Sequence, residues 1–152
     1  MRGRLITEFR VSLTPAAHDR PRFDSRGKKP RTYETSKNIN FRRDFRQAVE
    51  RYRPEVPFAG PIAIELVYWI KPPKKINLDE RPFPGRPDID NLQKGVLDAL
   101  NPTYRRDKVT KARIVMYSGF WEDDSQIVAM DAQKFWATEH ESPGILVAMY
   151  EA

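Results

Sequence analysis

The chain has 152 residues, 39% of them hydrophobic, with 27 Lys/Arg against 21 Asp/Glu for a net charge of +6. It is long enough for one domain with one core, spanning 1–152, and too short for two of ordinary size. It has no cysteine and only His18 and His140, which excludes disulfides and thiolate metal sites and argues against a histidine-rich zinc site.

Leu5 to Leu13 alternates apolar and polar residues, with one slip at Ile6, and predicts a first strand. Residues 14–37, broken by Pro15, Pro21 and Pro30, read as a long basic loop. Asn38 or Asn40 can cap a helix whose inner face is Phe41, Phe45, Ala48, Val49 and Tyr52. Its other face carries Arg42, Arg43, Arg46 and Arg51, and Pro54 and Pro57 stop it. Pro61 to Ile70 predicts a strand with Ile62, Ile64, Leu66, Tyr68 and Ile70 on one face. A Pro- and Lys-rich loop over 71–87 follows, then a helix from Ile89 to Leu100, ended by Asn101-Pro102. Residues 103–119 fit a helix or a strand. Ile127–Trp136 and Ile145–Tyr150 predict two late strands. No run approaches the roughly eighteen apolar residues of a membrane span. Met1–Glu8 lacks the signal-peptide core of about seven apolar residues. The expectation is a small α+β domain, a mixed sheet packed with helices, in the cytoplasm.

Charge is unevenly distributed. Residues 1–60 hold fifteen Lys/Arg against seven Asp/Glu, whereas 61–152 hold twelve against fourteen. A cationic front beside an acidic back suits a protein that attracts a nucleic-acid backbone and holds a metal against it.

The acids concentrate in two segments, Arg86-Pro87-Asp88-Ile89-Asp90-Asn91-Leu92-Gln93-Lys94 and Trp121-Glu122-Asp123-Asp124. Each has an ordinary explanation. Asp88 can cap the helix, Asp90 can complement its dipole and pair with Lys94, and Asp123 and Asp124 can be turn residues. Brought together, however, such acids repel by roughly 3 kcal/mol per pair at about 5 Å, unless a cation lies among them. Carboxylate oxygens are the ligands Mg²⁺ prefers. Lys94, one helical turn past Asp90, can stabilise charge on a phosphate.

Residues Arg86 through Leu100, followed by Trp121-Glu122-Asp123-Asp124-Ser125-Gln126-Ile127-Val128, resemble the RusA family of Holliday-junction resolvases. That family carries a D-[LIV]-D-N-L-x-K-x-x-x-D-A-L helix and a later D-D-x-Q-[IV] segment. The resemblance implies a small RusA-like α+β fold acting as a homodimer in bacteria, prophages or phages. It implies Asp88, Asp90 and Asp124 as metal-binding catalytic aspartates, Lys94 as the catalytic lysine and Asp123 as a neighbouring acid. It implies Mg²⁺, with Mn²⁺ as substitute, and paired symmetric nicks in four-way junction DNA during recombination and repair. Relative to the family's shortest members, the connection from Leu100 to Trp121 is longer and basic.

DNA contacts are expected from Lys71, Lys74, Lys75 and Arg86 near the acidic motif, and from Arg42, Arg43 and Arg46 on the first helix. Lys28, Lys29, Arg31 and Lys37, with Tyr33, could wrap a strand. Three rivals stand beside this reading. One is a metal-dependent nuclease for other branched or single-stranded DNA. Another is a non-catalytic DNA-binding module whose acids only cap a helix and a turn. The third is a small protein-interaction domain with a basic surface.

Overall fold

The computed structural model describes residues 3–72 and 85–152. Lys74 and Lys75 lie outside the described residues. The elements run β1 Leu5–Val11, β2 Arg22–Asp24, β3 Arg31–Tyr33, α1 Ser36–Val49, β4 Ile62–Ile70, α2 Ile89–Leu100, β5 Thr103–Arg106, β6 Arg113–Tyr117, β7 Ile127–Trp136 and β8 Gly144–Glu151. Short 3₁₀ turns occupy Glu50–Tyr52 and Asp124–Gln126. The architecture is α+β, as expected.

The main sheet has the order β1-β8-β4-β7. β8 runs antiparallel to both β1 and β4, whereas β4 and β7 are parallel, so the sheet is mixed. Parallel neighbours need a crossover connection, and α2 lies within the one joining β4 to β7. The slip at Ile6 is a register shift in the β1–β8 ladder between Leu5 and Thr7.

β4 is flanked on both sides, and its side chains at Ile62, Ile64, Leu66 and Tyr68 are buried. They share one core with Phe45 and Val49 of α1 and with Leu92, Val96 and Leu100 of α2. Phe9 joins this core, stacking on Tyr52 at 5.0 Å and meeting Phe120 at 5.6 Å. Each fully buried Leu or Phe here contributes about 2 kcal/mol or more of transfer free energy. No helix among the described residues is long and apolar enough to cross a membrane.

Two expectations change. The cap of α1 is Thr35, whose side chain accepts from the Asn38 N–H, so the helix starts earlier than Asn38. Asn38 is buried and serves a different purpose, binding the chain at Asp19. The stretch read as one loop over 14–37 contains the β2–β3 ribbon. Residues 103–119 resolve as the β5–β6 hairpin. Cross-strand pairing overrides the helical spacing of Val109, Ala112 and Met116.

This hairpin leaves and re-enters the fold at one narrow place. The Phe120 N–H donates to the Leu100 carbonyl at 2.9 Å. Gly119 passes so close that a Cβ there would lie 2.5 Å from the Pro102 nitrogen.

Candidate active site

α2 begins directly after the Arg86-Pro87-Asp88 segment, in which the Arg86–Pro87 peptide is cis. Asp88 occupies the cap position with an extended backbone, and its carbonyl accepts the first helical bond from Leu92 at 3.2 Å. Its carboxylate makes no capping hydrogen bond. The side chain that would explain Asp88 as an ordinary cap is therefore left open. Asp88, Asp90 and Lys94 are all exposed, while Leu92 and Val96 between them hold the helix to the core. The N-terminus of α2 favours negative charge at this place.

The approach to Asp88 is fixed from the sheet. Lys134 of β7 donates to the carbonyls of Gly85 at 2.5 Å and Pro87 at 2.9 Å. A lysine in a sheet strand gave no sequence signal for this contact with the acidic motif.

The second acidic segment is a rigid knot. Asp123 and Gln126 form a reciprocal capping box around the Asp124–Gln126 turn. Gln126 accepts from the N–H groups of Glu122 at 2.7 Å and Asp123 at 2.9 Å. Its amide donates to the carbonyls of Phe58 at 2.8 Å and Gly60 at 2.9 Å, tying the turn to the entry of β4. The side chain of Ser125 donates to Asp123, and this bond, with the Ser125 backbone N–H, holds the Asp123 carboxyl below its usual range. The Asp-x-x-Gln spacing of residues 123–126 is the sequence signal by which this box, missed in the sequence, could be found.

Asp124 is half-buried and accepts from the indole N–H of Trp121 at 3.0 Å. The same N–H reaches Asn101, at the end of α2, at 3.1 Å. Burial pushes the Asp124 carboxyl up, the indole bond pulls it down, and the charges of Asp98 and Asp123 push it up again. Asp98 is itself held by the ring of His18 at 3.2 Å.

The shared indole N–H therefore places Asp124 at the Asn101 end of α2, the half that carries Asp98, whereas Asp88 and Asp90 lie at the helix start. The rise of an α-helix puts Asp90 and Asp98 about 12 Å apart along its axis. Among the described residues, no three His, Asp or Glu side chains are grouped to hold a metal. The donors have the oxygen chemistry that Mg²⁺ requires, but the isolated chain does not gather Asp88, Asp90 and Asp124 into one cage.

The basic candidates divide sharply. Arg42 is clamped in two hydrogen bonds to Glu34, at 2.5 and 2.9 Å, and these bonds, with its charge, hold Glu34 below its usual range. Arg46 lies under the end of α2, donating to Ala99 at 2.9 Å, Asn101 at 3.2 Å and the Thr103 hydroxyl at 2.7 Å. It also covers the Tyr117 ring at 3.9 Å. These bonds give Arg46 a structural role that its place on a basic helix face did not suggest. Arg43 is exposed beside Asp44, and Lys71 and Arg86 are exposed near the β4 end and the acidic motif.

The family model for endodeoxyribonuclease RusA matches residues 12–114, which takes in both helices and the first acidic motif. The chain is also similar to the uncharacterized protein YqaN of Bacillus subtilis (strain 168). The two are 27% identical over 143 residues, which span 87% of this chain and 89% of that protein. With the α2 motif inside the matched span and the mixed sheet built around it, this chain belongs to the RusA endodeoxyribonuclease family.

Proposed function

We propose that the protein is a Mg²⁺-dependent endonuclease that resolves four-way DNA junctions by paired nicks, acting as a homodimer in the bacterial cytoplasm. One observation carries this reading: Asp88 is a helix cap whose carboxylate caps nothing, with Asp90 and Lys94 exposed along the same turn and the next. Asp88 and Asp90 would hold the ion, and Mn²⁺ would substitute for it. When bound, the ion supplies a lowered pKa for its water and screening of the scissile phosphate. Lys94 offers its ammonium to charge developing on that phosphate. Lys134 keeps the segment before Asp88 in place, and the exposed Arg86, Lys71 and Arg43 attract the backbone. Asp124, with Asp123 nearby, completes the set of essential acids in this reading. The homodimer follows from the activity, since two symmetric cuts need two sites about a two-fold axis.

The separation of Asp124 from the α2 start favours a second reading, a DNA-binding member without cleavage activity. A nicking assay on a synthetic mobile four-way junction, with and without Mg²⁺, separates the two. Linear duplex, flap and single-stranded substrates run beside it. The proposal expects metal-dependent paired nicks on the junction and none from Asp90→Asn, which should still bind, because removing a negative charge does not weaken attraction to DNA. Binding without nicking by the unaltered protein would establish the second reading.

A further inference from the structure

We propose that the β2–β3 ribbon is a DNA-gripping arm, with Phe23 as a stacking contact at the exposed base pairs of a branch point. The inference rests on the reading of this chain as a branched-DNA protein and adds a binding element remote in sequence from the acids.

The ribbon joins no other sheet. Every residue from Arg20 to Tyr33 is exposed except Asp24. A lone two-stranded ribbon is marginal in water, so a ribbon without a buried face needs some other reason to hold its shape. Its root supplies one. The buried Asn38 side chain accepts from the Asp19 N–H and donates to the Asp19 carbonyl, each at 2.8 Å. The Thr35 hydroxyl donates to the Asp19 carboxylate at 3.0 Å. These bonds pin the chain entering β2 to the chain leaving β3, so the arm projects from a fixed base.

The arm's charge is available. Residues 20–33 contain Arg20, Arg22, Arg26, Lys28, Lys29 and Arg31 against the single acid Asp24. Asp24 is occupied at the turn, accepting from the backbone and side chain of Arg26 at 3.0 and 3.1 Å. Among the described residues, Arg20, Arg22, Lys28, Lys29 and Arg31 form no ion pair. Arg42, Arg46 and Arg53 of the body are all bonded internally. Exposed cations occur elsewhere too, as at Lys71 and Arg86, but the ribbon gathers Arg20, Arg22, Lys28, Lys29 and Arg31 on one projection.

Its two aromatic residues are exposed, one on each face. Phe23 is 65% exposed, opposite Thr32 across the ribbon, and Tyr33 is 46% exposed, opposite Arg22. Directly opposed residues share a face, so Phe23 and Thr32 occupy one side and Tyr33, Arg22 and Arg31 the other. A largely exposed aromatic on one face can stack on a base while the cations of the opposite face and of the turn hold phosphates. A two-stranded ribbon also fits the width of a major groove.

The test uses the full chain and two variants, Phe23→Ala and the triple Lys28→Ala/Lys29→Ala/Arg31→Ala. Affinity for a four-way junction and for a linear duplex is titrated across salt concentrations. Phe23→Ala should weaken junction binding about tenfold, with duplex binding and the salt slope unchanged. The triple variant should flatten the salt slope on both DNAs, by about 0.9 per lost phosphate contact. Sedimentation of each variant is measured alongside. Unchanged affinity and slope in both variants, while the unaltered protein binds, would overturn the arm alone. So would a Phe23→Ala protein that loses only self-association, which would mark the arm as a protein contact. Failure of the unaltered protein to bind any DNA would instead remove the functional reading beneath it.

Discussion

The fully buried indole of Trp121 donates its N–H to the half-buried carboxylate of Asp124 at 3.0 Å. The bond fixes where one oxygen of the acid points and leaves the other open. Trp121→Phe keeps an aromatic in the core but removes the donor to both Asp124 and Asn101. It should destabilise the fold by on the order of 2 kcal/mol, through lost volume and an unpartnered buried acceptor. It should also lower metal-dependent nicking by tenfold or more at a temperature where the variant is folded. Urea melts beside nicking rates check both, and full activity in the folded variant would show that the orientation of Asp124 is immaterial.

Asp124→Asn should stabilise the metal-free protein near neutral pH. Burial and the charges of Asp98 and Asp123 raise its pKa above the ordinary carboxylate value in the folded state. The folded chain therefore holds this proton to higher pH than the unfolded chain does, and its stability falls as pH rises through that interval. Asparagine still accepts from Trp121 but never ionises. In EDTA, the melting temperature of Asp124→Asn should exceed that of the unaltered protein at pH 7, and the gap should close toward pH 4. A lower melting temperature at pH 7 would contradict the argument. Glu34 behaves oppositely. Its lowered pKa gives stability that is present above the unfolded value and lost on acidification through the folded one, so Glu34→Gln should flatten the acid limb.

Arg46 and Arg43 are three residues apart on one helix, yet their losses should differ severalfold. Arg46→Ala leaves the carbonyls at the end of α2 without their donor, at a cost of about 2–3 kcal/mol. Lysine should not rescue it, because a single ammonium cannot reproduce the fork. Arg43→Ala, at an exposed site, should change stability by less than about 0.5 kcal/mol. Denaturant melts of the three variants give the comparison.

Lys134→Met preserves the apolar stem in β7 but releases the carbonyls of Gly85 and Pro87. Nicking should fall about tenfold through loss of positioning. Junction affinity should change little, since this ammonium faces the protein's own backbone. Equal losses of binding and nicking would assign Lys134 to the DNA contact instead.

The elements legible in the sequence were those whose neighbours along the chain determine them. β4 and α2 announce themselves through period-two and helical spacing, and the slip at Ile6 foretold a real break in the β1 register. What could not be read depends on residues far apart in sequence. Asn38 looked like a cap and is instead a clamp on Asp19. Arg46 looked like a surface cation and closes α2, and Lys134 looked like an ordinary strand residue. Asp124 was expected beside Asp90, and the structure places it at the Asn101 end of α2, because the order of motifs along a chain carries no information about which end of a helix a later turn meets. The β2–β3 ribbon was hidden by its prolines and charges, since its pattern reflects solvent on both faces.

The bond from Phe120 to Leu100, with Arg46 on Thr103 and Tyr117, closes a neck at the base of the β5–β6 hairpin, and beyond it the tip from Arg105 to Arg113 is exposed except at Asp107. The body is sealed at that neck, so whatever hangs beyond it is free to lengthen, shorten or change its charge without disturbing the strand order behind it. Evolution can therefore retune this part of the enzyme independently of its catalytic frame, and an engineer could graft a reporter there.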